Sequence, residues 1–145
     1  MDLFTAMDVS SSALTAERTR MNLISSNLAN ANSTRTAEGG PYKRKDAVFA
    51  AQPISTPFSA ALTKAGLKQL NKVEVLQVVE DQNPPRMQYD PSHPEADANG
   101  YVAMPNVNVV EEMADMIAAT RSYEANVTTL QATKSMALKT LEISR

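Results

Sequence analysis

The chain has 145 residues, of which 43% are hydrophobic and only 5% aromatic, and it contains no cysteine and no tryptophan. This length predicts a single domain, and the lack of cysteine excludes a disulfide framework and thiolate metal ligands. A net charge of −2 disfavours nucleic acid as the main partner. No apolar run approaches the roughly 20 residues that cross a bilayer, so we predict neither a transmembrane segment nor an ordinary cleaved secretion signal.

Helix-breaking residues are confined to the middle of the chain. All eight prolines and all four glycines fall between residues 39 and 105. Both ends can therefore form long helices, while the middle must turn repeatedly. We predict a mainly α fold with a terminal helical domain (residues 1–38 and 106–145) and a small β-rich or irregular outer lobe (39–105). The two helices should pair as a coiled-coil-like hairpin.

The first terminal segment carries a heptad pattern. Met7, Leu14, Met21 and Leu28 recur every seven residues, and Leu3 and Ile24 lie beside them on one helical face. The neighbouring lane is weak, because Ser10 and Glu17 stand where a strong two-stranded coil has leucine. The asparagine-rich run 27–33 predicts the helix end, since asparagine tolerates the left-handed backbone conformation.

The last segment predicts a helix from about residue 108 to 143. Asn108 followed by Glu111 resembles a capping box. Two lanes of a heptad pattern follow. The first lane contains the apolar residues Met113, Val127 and Leu141. The second lane contains Val109, Met116, Tyr123, Leu130 and Ala137, and the stripe is widened by Val110, Ile117 and Leu138.

The middle segment has strand-like runs. Residues 73–80 are rich in β-branched side chains and predict a strand, 81–85 a turn, and 86–90 a returning strand. Residues 45–51 and 101–104 are weaker strand candidates, and the pattern of residues 53–72 predicts no definite structure.

The only clustered ligand or acid–base groups surround the single histidine, His93. Glu95, Asp97, Asn99 and Gly100 partly match a calcium loop, but the first ligand should be Asp and the twelfth position is Asn106 rather than Glu. No nucleophile with an orienting acid accompanies His93 at a recognisable spacing. We therefore interpret the segment as a structural turn, predict no metal and no cofactor, and regard an enzyme using His93 as the weakest hypothesis.

A short basic run, residues 43–45, could contact phosphate or an acidic partner. A solvated entry to a strand is the simpler interpretation. The methionines of both helical stripes could likewise form flexible binding faces, but core or subunit packing explains them more economically.

Two motifs resemble one family. Residues 24–32 (ISSNLANAN) resemble the amino-terminal signature of bacterial flagellar basal-body rod and hook proteins, and residues 106–113 (NVNVVEEM) with 121–126 (RSYEAN) resemble the carboxyl-terminal signature. The continuation 33–42 (STRTAEGGPY), the segment 89–94 (YDPSHP) and the short middle resemble the proximal-rod members.

This resemblance implies a non-enzymatic structural subunit of the flagellar basal-body rod. It implies export through the flagellar type III channel, polymerisation in the periplasm, and terminal helices that form an inner tube. Copies of the chain and other rod subunits are the implied partners, with the export apparatus in transit. A soluble helix-pair adaptor is the alternative. The predicted assembly interface comprises Leu3, Met7, Leu14, Met21, Ile24, Asn27, Leu28, Asn30, Val109, Met113, Met116, Ile117, Tyr123, Val127, Leu130, Leu138 and Leu141.

Overall fold

In the described part of the chain, a long helix is followed by four strands and then by a second long helix. The computed structural model describes residues 3–54 and 71–143. Helix α1 spans Leu3–Ala29 and helix α2 spans Val109–Ile143, with strands β1 (Lys45–Pro53), β2 (Asn71–Glu80), β3 (Arg86–Tyr89) and β4 (Tyr101–Met104) between them. The predicted fold class, mainly α with a β-containing middle, is confirmed.

Helix α1 has 27 residues and is roughly 40 Å long at 1.5 Å per residue. It ends near the predicted place, but the predicted mechanism is wrong, because no non-glycine residue in the described part of the chain has a positive φ. The chain instead leaves the helix through successive turns. The amide of Asn30 donates to Ser26 O, and the amide of Ser33 donates to Asn30 O.

Helix α2 begins where the capping pattern predicts. The Asn108 side-chain oxygen accepts a hydrogen bond from the Val110 amide at 3.1 Å, which satisfies one of the donors that a helix N-terminus leaves unpaired. The helix continues for 35 residues without a glycine or proline. The sequence-based bounds of about 108 to 143 are therefore confirmed.

The strands form two separate two-stranded sheets, one of β1 with β2 and one of β3 with β4. The second sheet is antiparallel, and its register places Arg86 opposite Met104 and Tyr89 opposite Tyr101. The weak strand candidates at 45–51 and 101–104 are thus confirmed as β1 and β4. Most of the indefinite stretch 53–72 lies outside the described residues.

The prediction that residues 86–90 return alongside β2 is wrong, since β3 pairs with β4. The intervening segment explains the difference. Pro84 and Pro85 have no amide hydrogen and cannot continue a ladder with β2. The amide of Asp81 donates to Arg44 O at 2.8 Å, and the Asp81 carboxylate accepts from the Asn83 amide at 2.9 Å. These bonds end the first sheet before β3 begins.

The buried apolar residues are mostly small. Among the described residues they are three alanines, two valines and one isoleucine: Ala16, Ile24, Ala31, Val102, Val107 and Ala119. Side chains of this size let backbones approach closely and leave most large apolar groups outside the core.

The chain folds into two compact units that are each assembled from separate segments. The first contains Met1–Thr19, Val48–Gln77 and Thr120–Arg145, and the second contains Arg20–Ala47 and Val78–Ala119. Each unit takes residues from both terminal helices and from the middle. The division into a terminal helical domain and an outer lobe at 39–105 stays a prediction.

Candidate assembly interface and a buried polar cluster

The predicted interface residues of the amino-terminal segment lie mostly on the covered side of the chain. Ile24 and Asn27 are buried. Those that are half-buried are Met7, Leu14, Met21, Leu28 and Asn30. The side chain of Leu3 lies outside the described side chains. This face is largely covered within a single subunit. Its contact with a second subunit stays a prediction.

The predicted interface residues of α2 divide into two groups. The half-buried ones are Met116, Tyr123, Val127 and Leu130, and the exposed ones are Val109, Met113, Ile117, Leu138 and Leu141. The predicted meeting of Met7, Leu14, Met21 and Leu28 with Met113, Met116, Tyr123, Val127 and Leu130 stays a prediction.

Within the second unit, α2 has a covered face and an exposed apolar face. Glu112 and Ala119 are buried, each 1% exposed, whereas Met113 is 54% and Ile117 56% exposed. At about 100° per residue, positions 110, 113 and 117 share one side of the helix and positions 112 and 119 share the opposite side. Val110, 75% exposed, continues the exposed apolar stripe toward the start of α2.

A buried polar cluster forms around Asn27, which is 1% exposed. Its side-chain amide donates to Lys45 O at 2.9 Å and to Glu112 Oε2 at 3.0 Å. Its side-chain oxygen accepts from the Lys45 amide at 2.9 Å and from the Tyr42 hydroxyl at 3.0 Å. An asparagine side chain offers two donors and two acceptor positions, so all four are used within the chain.

The charge in this cluster belongs to Glu112 and Arg44. Arg44 Nε donates to Glu112 Oε1 at 2.6 Å, and Arg44 Nη1 also pairs with Asp46 Oδ2 at 3.1 Å. Burial alone would lower the pKa of the Arg44 guanidinium, but the hydrogen bonds and negative charges of Glu112 and Asp46 outweigh it and raise that pKa above its ordinary value. Arg44 therefore remains charged opposite Glu112.

The basic run 43–45 serves internal contacts at two of its three positions. Arg44 pairs with Glu112, and Lys45 Nζ lies 3.5 Å from Glu80 Oε1. The Lys45 backbone also makes two hydrogen bonds with the Asn27 side chain, one donated by its N–H and one accepted by its carbonyl. These pairs account for the charges of Arg44 and Lys45, and they favour the strand-entry interpretation over a phosphate site.

The side chains around His93 hold turns. His93 Nδ1 accepts from the Glu95 amide at 3.2 Å. Asp97 Oδ1 accepts from the amides of Asn99 at 2.8 Å and Tyr101 at 2.9 Å. These bonds from side chains to nearby backbone amides are those of a turn, and they favour the structural interpretation of the segment.

Within residues 3–54 and 71–143, no three His, Cys, Asp or Glu side chains are grouped as metal ligands would be. Neither described helix has a stretch that is both long and apolar enough to cross a bilayer.

Sequence reasoning missed the polar cluster, although a signal for it exists. Asn27 lies three residues after the buried Ile24, on the covered face of α1. Glu112 lies four and seven residues before Met116 and Ala119, on the covered face of α2. A polar residue on the covered side of each helix suggests that the two are hydrogen-bonded partners.

Comparison with known proteins gives a consistent match. Residues 7–35 match the family described as "Flagella basal body rod protein", and residues 98–143 match "Flagellar basal body rod FlgEFG protein C-terminal". The chain is 44% identical to the flagellar basal-body rod protein FlgC of Bacillus subtilis and 44% identical to that of Escherichia coli O157:H7, over 100% of both chains in each case. It is 42% identical to FlgC of Borreliella burgdorferi, over 99% of this chain and 98% of that protein.

Proposed function

Because this chain belongs to the FlgC family of flagellar basal-body rod proteins and is a structural subunit of that rod, we propose that it polymerises through its terminal helices into a hollow, torque-transmitting shaft. Its site of action is the basal-body rod. The role we propose is mechanical and involves no catalysis.

The observation that carries the proposal is the exposed apolar stripe Val110, Met113 and Ile117 on α2. Each of these side chains is more than half exposed, and the opposite side of the helix is buried within the subunit. Apolar surface contributes about 25 cal/mol per Å² when it leaves water. The stripe can gain this contribution from contact with a neighbouring subunit, after ordering costs are subtracted.

The carboxyl-terminal turns of α2 support the same proposal from within the first unit. Met136, Leu138 and Ile143 are exposed, and Ile143 reaches 86%. Along residues 134–143 only position 137 is half-buried. A helix end with apolar groups on several sides buries them efficiently when helices from other subunits surround it.

We further propose that the subunit travels unfolded through the flagellar type III export apparatus and assembles in the periplasm with copies of itself and other rod subunits. The chain contains no cysteine, so threading it through a narrow channel requires no disulfide to be reduced. The small core residues described above add little apolar area per residue, which keeps the cost of unfolding for export low.

The experiment introduces a charge on the exposed stripe. Ile117→Asp in the native chromosomal gene should abolish rods seen by electron microscopy of basal bodies and abolish motility, because a carboxylate replaces apolar contact at a subunit boundary. Ser122→Asp is the matched control, since Ser122 is an exposed polar residue of the same helix. Both purified variants should keep the helical circular dichroism of the wild type. Normal rods with Ile117→Asp would contradict the proposal.

The adaptor alternative makes a different prediction about the isolated subunit. It requires a compact monomer or small closed oligomer with both ends protected from hydrogen exchange. The rod subunit should instead exchange rapidly near both ends until neighbours cover its helices. Strong protection of both ends in a dilute monomer would favour the adaptor.

A further inference from the structure

We propose that Asn27, Arg44 and Glu112 form a latch that closes the second compact unit within a single subunit, before any neighbour binds. The latch is a conformational device of the individual chain and does not rest on rod assembly. It makes Glu112 a positioning residue that holds the start of α2 against the end of α1.

The cluster is complete without a second chain. All four hydrogen-bonding positions of the Asn27 amide are occupied by Tyr42, Lys45 and Glu112. Both Glu112 carboxylate oxygens have donors, Asn27 at Oε2 and Arg44 at Oε1. A buried polar group with every partner present is stabilising, whereas the same group with one partner missing is costly.

The cluster holds a buried charge. The Glu112 side chain is 2% exposed and Arg44 is 27% exposed. An ionised carboxylate at this depth is tolerated because Arg44 and Asn27 replace its water. If a single bond breaks, the charge of Glu112 either stays buried without a partner or must be rehydrated. The cluster therefore opens as a whole rather than bond by bond.

The latch joins segments that lie far apart in the sequence. The Asn27–Glu112 bond joins residues 85 positions apart, and the Arg44–Glu112 bond joins residues 68 apart. Arg44 O also accepts from the Asp81 amide, which attaches the segment after β2. One small cluster thus connects the end of α1, the start of β1, the end of β2 and the start of α2.

The test measures amide hydrogen exchange of the full chain as a dilute monomer. The amides of Tyr42, Lys45 and Asp81 report on the latch, because they lie far from residue 112 in sequence and donate to Ser33 O, Asn27 Oδ1 and Arg44 O. In the wild type all three should be protected. In Glu112→Gln an NH₂ group replaces one carboxylate oxygen, so a donor faces the donor of Asn27 or of Arg44. Exchange at all three amides should then accelerate at least about tenfold.

Glu111→Gln is the matched control, because Glu111 is the adjacent residue, has the same chemistry and is exposed. It should leave the three amides unchanged. The latch is refuted if Glu112→Gln accelerates exchange only at the start of α2, or no more than Glu111→Gln. It is equally refuted if the three wild-type amides exchange as fast as in an unfolded chain.

Arg44→Lys decides the case in which Glu112→Gln unfolds the protein outright. Lysine keeps the positive charge but loses the planar fork that delivers Nε to Glu112. Exchange at Tyr42 and Asp81 should then lie between the wild-type and unfolded rates. Wild-type rates in Arg44→Lys would overturn the proposal.

Discussion

The rings of Tyr89 and Tyr101 meet edge to face across the β3–β4 sheet, with centroids 5.3 Å apart and an interplanar angle of 66°. Gly100 makes this contact possible. Its φ is +81°, and a Cβ built there would lie 2.9 Å from Tyr89 Cε2 and 3.2 Å from Pro91 Cβ.

Gly100→Ala should therefore lower the free energy of unfolding by about 1–3 kcal/mol, because it combines backbone strain with a displaced ring. Gly39→Ala separates the two causes, since Gly39 has φ +89° but nothing within 4 Å of its Cβ position. Chemical denaturation of both variants should show the larger loss for Gly100→Ala. Equal losses would mean that the ring contact adds nothing.

Glu17→Leu should stabilise the protein. Oε2 of Glu17 is buried and has no hydrogen-bond partner among the described residues, which costs about 1–3 kcal/mol. Leucine also suits the heptad lane that Glu17 weakens. Thermal unfolding should show a higher midpoint for Glu17→Leu than for wild type. Glu124→Leu, at an exposed helix position, should change the midpoint little, and a lower midpoint for Glu17→Leu would disprove the account.

The turn before His93 should respond to acid in a defined direction. The pKa of Asp90 lies below its ordinary 3.8 because the carboxylate accepts hydrogen bonds from the Ser92 hydroxyl and then from the Ser92 amide. Because the pKa is lowered in the folded chain, the ionised Asp90 carboxylate stabilises the turn at pH values above the ordinary pKa. This stabilisation is lost as the pH falls through the lowered pKa. An NMR titration should show the Asp90 pKa moving up toward 3.8 in Ser92→Ala.

The carboxyl of Asp81 serves as the internal reference in that titration. Its pKa is also lowered, through hydrogen bonds from the Asn83 amide and side chain. Those bonds do not involve Ser92, so the Asp81 curve should be the same in both proteins. If the Asp90 titration curves of wild type and Ser92→Ala superimpose, the Ser92 hydroxyl does not lower the pKa of Asp90.

Leu28→Asp and Val127→Asp should each prevent rod assembly in cells. Both side chains are half-buried, so the substitutions should also reduce the stability of the isolated subunit, unlike a charge on the exposed face of α2. Basal bodies counted by electron microscopy, together with unfolding of each purified variant, separate the two effects. Normal rods in either variant would remove that residue from the predicted interface.

His93→Ala should be nearly silent in motility and in rod number, because the imidazole accepts a hydrogen bond from the Glu95 amide within a local turn. Swimming of the variant in soft agar measures this directly. Loss of swimming with normal rods would show that the turn interpretation is wrong.

The features that sequence predicted are those set by local pattern. The long breaker-free ends predicted both helices, and Asn108 predicted the start of α2 because capping depends on neighbouring residues alone. Residues 101–104 were a weaker strand candidate, and they form β4. The family signatures likewise predicted a rod protein, as the comparisons show.

What escaped prediction depends on contacts between distant segments. The pairing of β3 with β4 instead of β2 follows from where Asp81 and the two prolines direct the chain, which a strand pattern does not encode. Glu112 resembled an ordinary acid in the first turn of a helix, and Arg44 a solvated charge. Only the folded chain, which brings residues 27, 44 and 112 together, reveals their joint role.

Neither compact unit corresponds to a continuous stretch of polypeptide, and this interleaving governs how the protein can be dissected. Deleting either terminal helix as a whole removes material from both units, so such a truncation would damage both units rather than isolate a module. Point substitutions and site-specific labels are accordingly the appropriate tools for assigning functions to its parts.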